Sequence, residues 1–188
     1  MIPQILVKHI SSIDFPMKKA LFLLFLCINL MAYAQNSPQY PTPADAPGLE
    51  FAFELHVKID GAFGVGPTSH GERFVIPITG GTFEGPLIHG EILAGGADYQ
   101  LVDKERNRTE LEAIYCIRTH DGVSIHVRNR GLIWQGVNEH GEETYYFRAA
   151  PTFEAPADSQ YAWLNNAIFV CTVVPWDGGI GLRIWKVQ

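Results

Sequence analysis

Apolar and polar residues alternate with a period of two along most of this chain. Leu49, Phe51, Phe53, Leu55, Val57 and Ile59 fall on one face, and Glu50, Glu54, His56 and Lys58 on the other. Alternation this long predicts an antiparallel strand with one dry face, because a helix would scatter those acids around its whole circumference. Further strands are predicted over residues 73–78 and 81–93, broken by Pro77, Gly80-Gly81 and Gly85-Pro86, and over 97–102. Next, Leu111, Ala113, Tyr115 and Ile117 make an inward row, with Glu112, Ile114, Cys116 and Arg118 opposite. His120-Asp121-Gly122 reads as a hairpin turn into a strand over 123–131. Strands over 144–152, 167–174 and 180–187 follow, the last two joined by Asp177-Gly178-Gly179. Eight or nine long strands with Gly-rich bends and no long helix predict an all-β fold, a single closed antiparallel barrel, since closure removes exposed edges. A two-sheet sandwich is the alternative. Small eight-stranded barrels are either filled by side chains or hold one small ligand.

The amino terminus follows a different pattern. Met17-Lys18-Lys19 opens a basic stretch, an apolar run extends from Ala20 to Ile28, and Ala32-Tyr33-Ala34 supplies a small-x-small cleavage signature. These features predict a secretory signal peptide within residues 1–34, starting at Met17 and cut after Ala34, with a secreted or periplasmic product. The apolar run is shorter than the roughly 20 residues a membrane-spanning helix needs, so no stable membrane insertion is expected after cleavage. Leu26 before Cys27 argues against lipidation. Pro38, Pro41, Pro43 and Pro47 make residues 35–48 an extended linker, which leaves 49–188 as the barrel domain.

Composition narrows the function classes. The 188-residue chain is 47% hydrophobic, 12% aromatic and 18% charged, which excludes a disordered protein. Loss of residues 1–34 removes Lys8, Lys18, Lys19 and Asp14, moving the formal net charge from −6 to −8. Such an acidic chain does not suit nucleic acid. In an oxidising compartment Cys116 and Cys171 are candidates for a disulfide, with two buried free thiols as the alternative. The sequence holds no phosphate-binding glycine loop, dinucleotide fingerprint or nucleophile elbow. His56, His70, His89, His120, His126 and His140 lack metal-ligand spacing, so neither a metal nor another cofactor is expected.

Several motifs remain. Pro77-Ile78-Thr79-Gly80-Gly81-Thr82-Phe83-Glu84-Gly85-Pro86, Gly95-Gly96-Ala97-Asp98-Tyr99-Gln100, Val127-Arg128-Asn129-Arg130-Gly131, Tyr146-Phe147-Arg148 and Tyr161-Ala162-Trp163-Leu164-Asn165 occur in that order. Together they resemble the family known as domain of unknown function 3237, or uncharacterised protein family 0311, from about Phe51 to Val187. The resemblance implies a calycin-like or lipocalin-like barrel and carries no settled activity. The chain departs from the family pattern at Tyr99, where Trp is expected, at Ile114, where Arg is common, and at His126, where Tyr is common. Cys116 and Cys171 stand where Thr or small residues are expected. That double departure favours their pairing, provided their strands are neighbours.

Candidate site residues follow from which face each occupies. Asp98 and Gln100 share one face, and a partly apolar barrel mouth would tune Asp98 as a general base or acid. Tyr115 lies on an inward row, where its hydroxyl needs a partner. Asn129 points inward with Ile125 and Val127, whereas Arg128 and Arg130 are expected to pair with Glu112 or Glu110 across a hairpin, an anion-binding pair being the alternative. Tyr146 and Arg148 share a face, and a loop carrying Trp163 and Asn165 is a candidate lid. These residues suit an exported barrel that holds a small molecule in its lumen. Two alternatives stand beside it. One is a cofactor-independent lyase, isomerase or cyclase using Asp98 as base, Tyr115 as acid or donor, and Asn129 or Arg148 to hold negative charge. The other is a filled structural barrel that meets a protein partner. Homo-oligomerisation is left open.

Overall fold

The computed structural model describes residues 46–188; the expected signal peptide and nearly all of the expected linker lie outside them. Ten strands follow in order: β1 (Leu49–Ile59), β2 (Phe63–Thr68), β3 (Gly71–Glu84), β4 (His89–Ile92), β5 (Gly96–Asp103), β6 (Arg108–Thr119), β7 (Ser124–Val137), β8 (Glu143–Glu154), β9 (Phe169–Val174) and β10 (Ile180–Val187). Neighbouring strands pair in the order β1-β10-β9-β8-β7-β6-β4-β3-β2, all antiparallel, and a further β1–β3 pairing closes the sheet on itself. The fold is an all-β closed antiparallel barrel.

Ten strands make eight staves, because two staves are interrupted. β4 joins the Gly81–Glu84 end of β3 to Ile117–Thr119 of β6, while β5 joins the Glu72–Ile78 part of β3 to the other half of β6. Likewise β1 and β2 share one flank of β3, pairing with Ile78–Glu84 and Gly71–Val75 respectively. That second gap explains why β3 runs unbroken through Pro77, where the sequence predicts a break. The Pro77 carbonyl faces the gap and accepts Asp60 N–H at 3.0 Å, so the missing proline N–H falls where no ladder bond is due. Thr79 is the extra residue of a bulge opposite Lys58/Ile59, and with Gly80 and Gly81, both at φ 137°, it bends the strand without ending it. β2 is a further strand that the alternation does not predict. A second correction falls in β1, where a bulge at Ala52 breaks the alternation: Ala52 and Phe53 are both buried, while Leu49 and Phe51 lie outside and Phe51 packs on Trp185.

One end of the barrel is filled. Phe53 meets Phe83 and Phe153 edge-on with centroids 5.9 and 5.6 Å away, and Phe153 meets Phe169 at 5.0 Å. Ile88, Ile117, Ile125, Val127 and Ile184 complete this layer. A short 3₁₀ helix, Ala162–Asn166, plugs the same end through buried Leu164, with buried Tyr161 just before it. The plug is tied down by Asp121, which accepts hydrogen bonds from the Thr119 hydroxyl, from Tyr161 Oη at 2.9 Å and from Gln160 Nε2 at 2.9 Å. The Thr119 hydroxyl first, then Tyr161 and Gln160, hold the Asp121 carboxyl down at about 2. A depressed carboxylate stabilises the fold above its unfolded value and loses that contribution as pH falls through the folded one. Acid titration followed by circular dichroism is therefore expected to show a loss of stability between about pH 4 and pH 2 that Asp121→Asn flattens.

Candidate functional site

The other half of the barrel is hollow, for a reason visible in the registers. Leu111, Gly131, Ala149 and Cys171 lie side by side across β6, β7, β8 and β9, and Ala113 lies opposite Asn129 one row away. Small side chains at Gly131, Ala149 and Ala113 leave open the space that phenyl rings occupy at the filled end. The result is a cavity of about 270 Å³, lined mainly by Val57, Ile76, Ile78, Ile133, Phe147 and Leu182. That is near the lower limit of small-molecule sites, roughly 300–1,000 Å³.

Besides the exposed Tyr145, four polar side chains reach this apolar wall: Asp98, Gln100, Tyr115 and Asn129. The alternation places Tyr115 and Asn129 on inward rows, whereas Asp98 and Gln100 are expected only to share one face, which here is the lumen face. Asp98 is held at a local opening of the ladder. β5 and β6 pair at Asp98↔Ala113 and again at Leu101↔Glu110, and between them Asp98 Oδ1 takes the Glu112 N–H at 3.0 Å. Asp98 Oδ2 accepts Gln100 Nε2 at 2.8 Å. Burial raises the Asp98 pKa above the ordinary aspartate value, and the Gln100 and Glu112 hydrogen bonds oppose it. Tyr115 is 4% exposed and Asn129 6%, yet neither Tyr115 Oη nor Asn129 Oδ1 has a hydrogen-bond partner in the protein. Burial drives the Tyr115 pKa well up, which keeps its hydroxyl protonated. Cys171 lies beside them, its thiol pushed up to about 12 by burial against a hydrogen bond from the Asn129 amide.

Four other expected residues lie elsewhere. Tyr146 and Arg148 are on the outer face, where the guanidinium stacks 5.6 Å from the Tyr146 ring centre. Their neighbours Tyr145 and Phe147 line the cavity instead. Three consecutive aromatics hide the phase of this strand, and the charge of Arg148 is the signal that it faces water. Trp163 and Asn165 form part of the plug rather than a lid. Trp163 packs 6.0 Å from Phe169, and the Asn165 amide bonds both Ala155 N–H, at 2.8 Å, and Ala155 C=O, at 2.9 Å. The disulfide is also corrected. Cys116 and Cys171 are both free, on strands separated by β7 and β8. Cys171 is in the core, and Cys116 lies on the face opposite the inward Tyr115. Arg128 and Arg130 both bond Glu112 Oε1, Arg128 Nη2 at 2.6 Å and Arg130 Nε at 2.9 Å, the cross-hairpin arrangement rather than a free cationic pair. Among the described residues no three His, Cys, Asp or Glu side chains are grouped to hold a metal ion.

Residues 47–187, the whole barrel, match a family model described as protein of unknown function (DUF3237). The chain belongs to the DUF3237 family. A UPF0311 protein of Clostridium acetobutylicum is 32% identical over 149 residues, covering 74% of this chain and 93% of that protein. The crystal structure of a beta-barrel like protein from Acinetobacter baumannii superposes with a TM-score of 0.66 at 29% identity, covering 80% of this chain and 100% of that one. An enzyme from Penicillium herquei has the same fold, with a TM-score of 0.62 at 23% identity, covering 80% and 99% of the two chains. In this DUF3237 protein the Gly96-Ala97-Asp98 motif begins β5, and its glycine serves close packing. A Cβ on Gly96 would lie 2.5 Å from both Ile114 O and Tyr115 Cβ.

Proposed function

We propose that this protein binds a small, largely apolar organic molecule bearing a hydroxyl group in the barrel lumen. One observation carries the reading. Tyr115 Oη and Asn129 Oδ1 are buried without partners on the wall of one apolar cavity. Leaving a polar group buried and unpaired costs about 1–3 kcal/mol, so two in one wall describe a surface complementary to something else. Tyr115 offers a donor and Asn129 Oδ1 only an acceptor, and one ligand hydroxyl satisfies both. The surrounding aliphatic and aromatic side chains supply the rest of the affinity by burying the ligand's apolar surface. Export is part of the proposal, supported by Met17-Lys18-Lys19, the apolar run after it and Ala32-Tyr33-Ala34.

2-Naphthol, a flat aromatic hydroxyl compound, is a suitable probe. Titration followed by naphthol fluorescence is expected to show saturable one-to-one binding. Tyr115→Phe removes one hydrogen bond and is expected to weaken binding roughly three- to tenfold. Ala113→Phe places a ring in the lumen and is expected to abolish it. If Ala113→Phe binds as well as the parent, the lumen is not the site.

A further inference from the structure

The registers place the polar groups of the lumen in a definite order. Asp98 lies opposite Ala113, and Ala113 lies opposite Asn129, so the carboxylate and the amide flank one small residue across β5, β6 and β7. Two strand spacings separate their backbones by about 10 Å. Tyr115 stands on the next inward position of β6, diagonal to Asn129. A ligand oxygen that meets Tyr115 and Asn129 can therefore place its adjacent carbon along the wall toward Asp98. Ala113, between them, leaves the room. The carboxylate itself is immobilised at both oxygens, by Gln100 and by the Glu112 N–H. Each oxygen keeps a free lone pair.

We propose that the lumen catalyses keto–enol interconversion of an enolisable carbonyl compound, with Asp98 as the base and Tyr115 and Asn129 as the pair that recognises the enol. This rests on the reading of the lumen as a small-molecule site. Asp98 takes the proton on the carbon next to the carbonyl. The C–H electron pair becomes the C=C bond, and the carbonyl π pair moves to oxygen, where the Tyr115 O–H meets it. Water at the open mouth protonates that oxygen, and Asp98 returns its proton to solvent. The resulting enol O–H is the donor that Asn129 Oδ1 lacks. A ketone satisfies only Tyr115, and the enol satisfies both, so the wall binds the enol side of the reaction better than the keto side, which is how a site lowers a barrier. The reverse sequence delivers a solvent-derived proton to carbon. No oxidant, reductant or second substrate enters the balance. The raised Asp98 pKa makes it a stronger base than aspartate in water.

2-Tetralone, an enolisable ketone whose enol is close in shape to 2-naphthol, separates this proposal from simple binding. Exchange of its C1 hydrogens for deuterium in D₂O, followed by proton NMR, is expected to run faster with the protein than with an equal concentration of acetate. Asp98→Asn is expected to remove about 10²-fold or more of that enhancement while still binding 2-naphthol, which also shows that the variant is folded. Tyr115→Phe is expected to lose at least about tenfold in exchange, more than it loses in 2-naphthol affinity. Binding of 2-naphthol with exchange no faster than in acetate overturns the catalytic proposal and leaves the binding reading intact. Enhancement that survives Asp98→Asn overturns the role of Asp98. Absence of 2-naphthol binding overturns the binding reading itself.

Discussion

Phe53→Ala is expected to destabilise the barrel by about 3–5 kcal/mol, measured as a shift of the denaturant midpoint at unchanged slope. Phe53 is fully buried and is the ring that both Phe83 and Phe153 meet edge-on. Removing it deletes the centre of the filled layer, and three of the walls it bridges are strands that cannot collapse inward without breaking ladder bonds. The cavity half contains no comparable cluster, so its own geometry depends on this layer for support. Accordingly, 2-naphthol affinity is expected to fall in Phe53→Ala even though Phe53 does not line the cavity.

Gly81→Val is expected to be worse, with loss of the native barrel rather than a shifted midpoint. Gly81 pairs with Val57 on one side and Ile92 on the other, at the seam where β1 meets β3 and the sheet closes. Its φ of 137° disfavours any L side chain, and a Cβ there would stand 2.0 Å from His56 O. Two separate penalties apply, backbone strain and overpacking, each of about 1–3 kcal/mol. Relief requires β1 to move off β3, which exposes two strand edges. Increased dye binding and loss of near-ultraviolet dichroism with far-ultraviolet dichroism retained are the expected signature. Preserved near-ultraviolet dichroism in Gly81→Val would contradict this account of closure.

The period-two pattern made most strands legible, and with them the inward direction of Tyr115 and Asn129 and the shared face of Asp98 and Gln100. Alternation is a local property, and it survives wherever charged residues mark the wet face. It failed where no charge interrupts the aromatics, at Tyr145-Tyr146-Phe147, and where a bulge resets the phase, at Ala52. It also could not show that Pro77 lies opposite a gap between two strands of another stave, because that depends on pairing across the closed sheet. The position of the plug, the hollow half and the separation of the cysteines belong to the same class of information. Each is set by which strands meet, and strands distant in sequence meet only through the closure of the barrel. The two orphaned polar atoms were half legible: that Tyr115 and Asn129 point inward follows from the chain, but that they find nothing there does not.

The separation of the two thiols has a practical consequence. Cys116 is partly open to solvent, whereas Cys171 is 1% exposed within the core beside Asn129. A thiol reagent will therefore read two different clocks in one molecule. Modification of Cys116 reports on collisions with the folded surface, while modification of Cys171 must wait for the wall between β8, β9 and β10 to part. The ratio of the two rates measures how often the barrel opens, and a lumen ligand that bridges Tyr115 and Asn129 will slow only the second.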